Sequence, residues 1–266
     1  MEKAYAIRVS SQKGGVGKTT IAVNLAVALG MLNYSVLLVD ADFESPAVGI
    51  FLGMESVNMG ITDVISGKAD LAMAIIKHHV SGIKVLPGTL ASDVNPTKPE
   101  LRSLLKKILA LKDYDFVIVD TPPGTAFHNL VALFDEALII TTPTMTSITN
   151  SIKLDSIYNK SHVVHSLVVN RVSGKGYQLS TREMEDGYGS RPVVSLPEDH
   201  KVQLSESQHI PVWILDRSTP FCQSLSVLVK FYAAKKGSPM DREAIPEKGV
   251  RSAILKVVKR LLGLSG

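Results

Sequence analysis

Residues 13–20 read KGGVGKTT, with lysines at 13 and 18 and glycines at 14, 15 and 17, between an apolar run and a helix-like run. Glycines let a backbone turn tightly and approach a ligand that side chains would hold off. Backbone N–H groups that converge where a helix begins make a seat for an anion. The chemistry this spacing supports is the binding of a phosphate chain. Lys18 would reach the β- and γ-phosphates and the Thr19 hydroxyl would meet Mg²⁺, while Gly14, Gly15, Val16, Gly17 and Thr20 supply the loop and the first helical turn. The common pattern G-x-x-x-x-G-K-[ST] is met except at its first glycine, where residue 12 is Gln. The sequence also places carboxylates at the ends of two apolar runs. Asp40 closes SVLLVD, Asp42 follows two residues on, and Asp120 closes DFVIVD. Asp40 and Asp42 are a carboxylate pair able to orient a water and hold a hydrated Mg²⁺.

Positioning these groups takes strands that end together. The runs at 4–10, 35–40, 83–87, 115–120, 136–142, 165–170 and 192–196 are β-rich and apolar, and helix-like stretches at 18–32, 98–112, 146–160 and 220–235 lie between them. Apolar runs without polar alternation indicate strands buried on both faces. Their alternation with helices predicts βαβ units and an α/β fold, a doubly wound and mostly parallel sheet flanked by helices. Ligands of such sheets sit at the carboxyl ends of the strands, where Ser10, Asp40 and Asp120 fall. A polar stretch with Gly and Pro at both ends, KKGSPMDREAIPEKG at 235–249, reads as a linker. The expected organisation is a domain over 1–236, a linker over 237–249 and a terminal segment over 250–266.

The chain has 266 residues, 45% hydrophobic and 20% charged, with a net charge of +4. That is an ordinary globular composition with room for a full core. The mild basicity does not by itself choose between nucleic acid and anionic lipid. A single cysteine, Cys222, excludes a disulfide framework or a cysteine-ligated cluster within one chain, and a reducing cytosol is the expected setting. No signal-peptide pattern opens the chain, and no apolar run is long enough to span a bilayer. The seven histidines show no ligand spacing, and His78–His79 read as surface residues. Trp213 reads as core or interface packing, and Cys222 as a small buried residue.

KGGVGKT resembles the deviant Walker A motif of the MinD/ParA group of dimerising ATPases. VLLVDAD and YDFVIVDTPPG resemble that group's following segments in the same order. The resemblance implies a P-loop NTPase fold, ATP and Mg²⁺ as cofactors, and hydrolysis to ADP and phosphate. It implies that Lys13 reaches across a sandwich dimer to the partner's nucleotide, a second cation on the transferred phosphoryl much as an arginine finger supplies. The attacking water is assigned to Asp42, a Mg²⁺ water to Asp120, and a γ-phosphate contact to the Gly124 N–H. VVNRV and SLPEDHKV are similar to the group's purine-contacting segments. This makes Asn170, Arg171, Pro197, Glu198 and Asp199 the candidates for the base, and the absence of an N-K-x-D run favours adenine.

In the terminal segment GVRSAILKVVKRLLGLSG, Val250, Ile254, Val257, Val258, Leu261 and Leu264 share one helical face, and Lys256, Lys259 and Arg260 fall opposite. A basic face against an aliphatic face suits an anionic membrane surface. The plainer alternative is a terminal helix packed on the core. MinD proteins end in a similar amphipathic helix, and two copies on a dimer gain avidity. The expected function is therefore a cytoplasmic MinD-like ATPase, peripheral on the inner face of the cell membrane. It would dimerise on ATP, bind membrane through Val250–Leu264 and position other proteins through an unidentified regulator or cargo. Gln12 and DTPPGT depart from MinD toward the DNA-partitioning ParA group and the iron–sulfur carrier ATPases respectively. The second lacks support because no CxxC is present. A ParA-like partitioning or flagellum-placement ATPase is the alternative, with DNA the less favoured partner because basic residues of the body are scattered. A non-catalytic nucleotide-binding scaffold is a further reading, opposed by the intact Lys13, Lys18, Thr19, Asp42 and Asp120.

Overall fold

The computed structural model describes residues 3–54, 57–89, 96–124 and 127–237. The expected linker beyond Gly237 and the terminal segment 250–266 lie outside the described residues. In chain order the elements are β1 (Tyr5–Ser10), α1 (Lys18–Met31), β2 (Val36–Asp40), α2 (Val48–Phe51), α3 (Ile61–Ile65), α4 (Leu71–Ala74), β3 (Ile76–Lys77), β4 (Lys84–Leu86) and α5 (Lys98–Leu109). They continue with β5 (Phe116–Asp120), a 3₁₀ helix (His128–Leu133), β6 (Glu136–Thr141), α6 (Met145–Lys160), β7 (His165–Val172), α7 (Thr181–Tyr188), β8 (Val194–Pro197), α8 (His200–Ser207), α9 (Val212–Leu215) and α10 (Pro220–Lys236).

The strands form one sheet in the order β3-β4-β2-β5-β1-β6-β7-β8. Every pairing is parallel except β3 with β4, an antiparallel edge of two residues that the sequence reading does not anticipate. Alternate residues of each strand feed opposite faces. Ile7, Val9, Leu38 and Ile118 pack with α1 and α10, whereas Ala6, Leu37, Val39 and Val117 pack with α5, and Ile139 and Val169 pack with α6 and α7. The sheet is thus the middle of three layers, which explains strands without polar alternation. Helix α1 is apolar on nearly every side because it is enclosed on nearly every side. Its end lies so close to the β4 approach that a Cβ on Gly30 would stand 2.3 Å from Ile83 Cγ2.

This topology sets the site. β1 lies between β5 and β6, and β5 lies between β1 and β2, so the chain turns both ways from the centre of the sheet. Asp40 and Asp120 are register partners across β2 and β5, and Val9 is the partner of Asp120 across β1 and β5. The glycine loop and both acid-bearing strand ends therefore meet at one crevice, the switch point expected to hold a ligand.

Candidate nucleotide-binding site

The loop after β1 is fixed from several directions. Ser11 Oγ donates to the Lys13 carbonyl at 2.7 Å. Thr121 Oγ1, just after β5, donates to the Val9 carbonyl at 2.8 Å. Asn170, at the end of β7, donates its amide Nδ2 to the Val16 carbonyl at 2.8 Å. Gly17 caps α1 with φ at 95°, a left-handed backbone, and a Cβ there would lie 2.3 Å from Asn170 Nδ2. A glycine is required at this position on both counts. Lys18 and Val16 are buried, while Lys13, Gly14 and Gly15 are exposed.

Asp120 is the buried centre of the site. Its Oδ2 accepts from the Thr19 hydroxyl at 2.5 Å, and its Oδ1 is buried with no hydrogen-bond partner among the described residues. Burial pushes its carboxyl up to about 6, held back by the Thr19 hydrogen bond and the Lys18 charge. A buried carboxylate oxygen without a donor is expensive, and a hard cation or its water would satisfy it. Thr19 and Asp120 thus fit the hydroxyl-and-carboxylate donor set of a Mg²⁺ site beside a phosphate chain.

Asp40 is used differently from its neighbour Asp42. Its Oδ2 accepts from the N–H groups of Ala47 at 2.9 Å and Val48 at 3.0 Å, and its Oδ1 from Asp42 N–H at 3.2 Å. Both oxygens are spent on the turn that leads into α2, so Asp40 builds the loop that carries Asp42 rather than forming a free pair with it. Burial, then the nearby Asp120, pushes the Asp40 carboxyl up to about 8. Asp42 is half-buried, and among the described residues its carboxylate accepts a single hydrogen bond, from Ser45 N–H at 3.0 Å. Gly124, with φ at 89°, donates its N–H to the Ser11 carbonyl at 2.9 Å, which links the β5 loop to the glycine loop.

A cleft continues from Gly17 and Thr20 along Asn170, Arg171, Pro197, Glu198 and Asp199. All five base candidates therefore gather beside the loop. They do so in different ways. Asn170 presents its amide N–H₂ to the glycine loop. Arg171 has φ at 60° where the β7–β8 register shifts, and it is exposed. Asp199 accepts from Lys201 N–H at 2.9 Å and Phe221 N–H at 3.3 Å, so its carboxylate holds the starts of α8 and α10 together. The structure adds Val202, Gln203, Glu206 and Phe221 to the lining. Glu206 accepts from the Thr20 hydroxyl at 2.8 Å and ties α8 to α1. The signal for these residues was available as spacing, since Val202, Gln203 and Glu206 lie on one face of a helix that begins just after Pro197–Asp199.

Elsewhere, Cys222 is buried and Trp213 packs on the core beside α1. His79 is exposed as expected, but His78 is buried, its Nδ1 2.7 Å from Ser81 Oγ. No cluster of three or more metal-ligating His, Cys, Asp or Glu side chains occurs among the described residues, nor any helix long and apolar enough to cross a membrane.

A glycine loop running from a central parallel strand into a buried helix, with Thr19 and Asp120 joined beneath it, defines a P-loop nucleotide-binding protein. The AAA domain family matches residues 4–160. An "Uncharacterized ATP-binding protein" of Methanocaldococcus jannaschii is 31% identical over 98% of this chain and 97% of its own length. Among solved structures, the septum site-determining protein MinD complexed with Mg-ADP from Pyrococcus horikoshii superposes with a TM-score of 0.81 at 26% identity, covering 88% of this chain and 98% of that one. The Aquifex aeolicus MinC:MinD cell division protein complex gives 0.78 at 27% identity, covering 90% and 99%. The chain belongs to the MinD/ParA family of P-loop ATPases.

Proposed function

We propose that this chain is a MinD-like switch: ATP brings two copies together, the pair holds an anionic membrane through the segments Val250–Leu264, and hydrolysis releases both. The observation that carries the reading is the contrast between the two lysines. Lys18 is buried beside Asp120, whereas Lys13 of the same loop is exposed. An exposed cation at the rim of a phosphate site is placed to serve a second copy's phosphates.

In this reading Gly14, Gly15, Val16, Gly17, Lys18, Thr19 and Thr20 bind the phosphates. Thr19 and Asp120 hold Mg²⁺ with Asp42 nearby, and Asp42 orients the attacking water. Bound Mg²⁺-ATP supplies the phosphoanhydride and the cation that offsets its charge. Gly124 exchanges the Ser11 carbonyl for a terminal phosphate, which is how a nucleotide state reshapes a surface. Arg171, Pro197 and Glu198 contact adenine, with Asn170 and Asp199 fixing the loop and helices around it. The domain, linker and tail keep the boundaries 1–236, 237–249 and 250–266. The Aquifex MinD was solved with MinC, and by analogy a protein regulator or cargo is proposed here, acting at the inner face of the cell membrane. The test is co-sedimentation with anionic vesicles, comparing ATP with ADP and the full chain with one ending at Gly249. Binding promoted by ATP and abolished by truncation is the expected result. A full chain that ignores lipid in both nucleotide states overturns the membrane reading.

A further inference from the structure

The pole opposite the glycine loop carries a second feature. A hollow of about 430 Å³ is floored by Leu109, Leu111 and Leu133 and rimmed by Lys3, Lys106 and Lys112, with Ala110 at its mouth. The size falls in the range of small-molecule sites, roughly 300–1,000 Å³. Its parts gather near the starts of strands: Lys3 before β1, Lys106 and Leu109 in the last turn of α5, Ala110–Lys112 between α5 and β5, and Leu133 shortly before β6. The end of α10 comes to the same pole. Lys236 Nζ donates to the Lys3 carbonyl at 2.6 Å, and Tyr34, just before β2, donates its hydroxyl to the Gly237 carbonyl at 2.5 Å. Gly237, the last described residue, therefore lies at the same pole as the hollow.

We propose that this hollow binds one anionic phospholipid, with acyl carbons on the leucine floor and the phosphate among the lysines. Charge selects this occupant. Asp135 pairs with Lys3 at 3.2 Å, but Lys106 and Lys112 are exposed on the rim and Lys236 adds a further amine nearby. The sequence of the terminal segment 250–266 also offers apolar residues, yet its Lys256, Lys259 and Arg260 would bring like charge to the lysine rim. A bare phosphate would leave three leucines uncovered. An amphiphile with an anionic head matches both the floor and the rim. The proposal deepens the membrane reading by giving the body of the domain its own lipid contact.

The test uses the full chain and a soluble short-chain lipid, so that it does not depend on tail insertion. Dihexanoyl phosphatidylglycerol, kept below its micelle threshold, is titrated by calorimetry against dihexanoyl phosphatidylcholine. Saturable binding of the anionic lipid is expected, about tenfold weaker in Lys106→Glu/Lys112→Glu and similarly weakened in Ala110→Trp, which fills the hollow without changing charge. Nucleotide affinity of both variants reports that they fold. No saturable binding, equal binding of the zwitterionic lipid, or loss in Ile254→Asp/Leu261→Asp with no effect of either hollow variant would each overturn the proposal. The last outcome would assign the lipid to the tail. Vesicle binding by the same proteins separates the two ideas: a hollow that takes short-chain lipid in a protein that ignores vesicles preserves this site and sinks the membrane switch.

Discussion

Gly17 and Asn170 lie so close that the pair yields a double-mutant cycle. Gly17→Ala places a methyl 2.3 Å from Asn170 Nδ2 on a backbone with φ at 95°. The left-handed backbone alone costs about 1–2 kcal/mol. Displacing Asn170 from the Val16 carbonyl adds about 1 kcal/mol for the lost hydrogen bond. Asn170→Ala alone leaves that carbonyl unsatisfied and costs about 1–3 kcal/mol. In the Asn170→Ala background the clash is gone, so Gly17→Ala should cost only its backbone strain. The coupling is therefore about 1 kcal/mol, and the double variant should be more stable than additivity predicts. At roughly 2–4 °C per kcal/mol for a chain of this size, thermal unfolding of four purified proteins without nucleotide resolves it. ATP affinity measured in parallel should fall in both single variants, since each distorts the loop. Additive stabilities within about 0.3 kcal/mol would show that Asn170 does not support Gly17 and would return its amide to the base.

Asp42→Ala should retain nucleotide and lower turnover by roughly 10²–10⁴-fold, with an ATP-bound dimer accumulating in size-exclusion chromatography; an unchanged rate removes Asp42 from the water. Lys13→Ala should bind ATP normally yet lose about 10³-fold or more of dimer-coupled turnover, and the reasoning fails if turnover still rises with protein concentration as in the parent. Asp120→Asn should weaken Mg²⁺ binding roughly 10–100-fold, read as loss of the Mg²⁺-dependent gain in nucleotide affinity. His78 gives a pH prediction. Burial, with His79 adding to it, lowers its imidazole to about 4, against about 6.5 unfolded. Below about pH 6.5 the unfolded chain therefore binds the extra proton first, and stability is lost as pH falls toward 4, by about 3 kcal/mol at most. Urea unfolding of His78→Asn between pH 7 and 4.5 should show a shallower loss than the parent, and parallel curves would refute this.

What the sequence exposed, it exposed through local pattern. Val36–Asp40 and Phe116–Asp120 are uninterrupted apolar runs ended by an acid, and they became central strands whose acids face each other. The glycine loop announced itself by spacing that few other structures need. By contrast, β3 has two residues and no pattern to detect. Asp40 and Asp42 look equivalent in sequence, yet only the fold of the turn at Ala47–Val48 decides which one is consumed. His78 beside His79 reads as polar surface, and its burial depends on the fold around the Ser81 hydroxyl. Thr20 and Glu206 lie 186 residues apart and meet only because α8 folds back on α1. Local chemistry was legible and long-range pairing was not, so the cluster of the glycine loop with Asp40 and Asp120 could be read from the sequence, while the cleft residues at the ends of β7 and β8 could be read only as a neighbourhood.

The bond between Gly124 N–H and the Ser11 carbonyl bears on how the proposed switch is balanced. That N–H is the one assigned to a terminal phosphate, so contact with ATP must first break a link between the β5 loop and the glycine loop. The exchange gives up a neutral hydrogen bond worth about 1 kcal/mol net for a charge-assisted one roughly twice as strong. The gain is therefore only about 1 kcal/mol, too small to drive a complete change of state alone, since moving from 1:99 to 99:1 takes about 5.5 kcal/mol. In the proposed switch the remainder would come from contacts that a second copy supplies. Lys13, exposed and held at the rim by a loop whose turn is fixed by Ser11, is placed to supply one of them. Ser11 thus touches both elements, with its carbonyl on Gly124 and its hydroxyl on the Lys13 carbonyl. On this argument the nucleotide sensor and the residue that reaches the partner are adjacent parts of one loop. Neither should respond fully to ATP while the chain is alone.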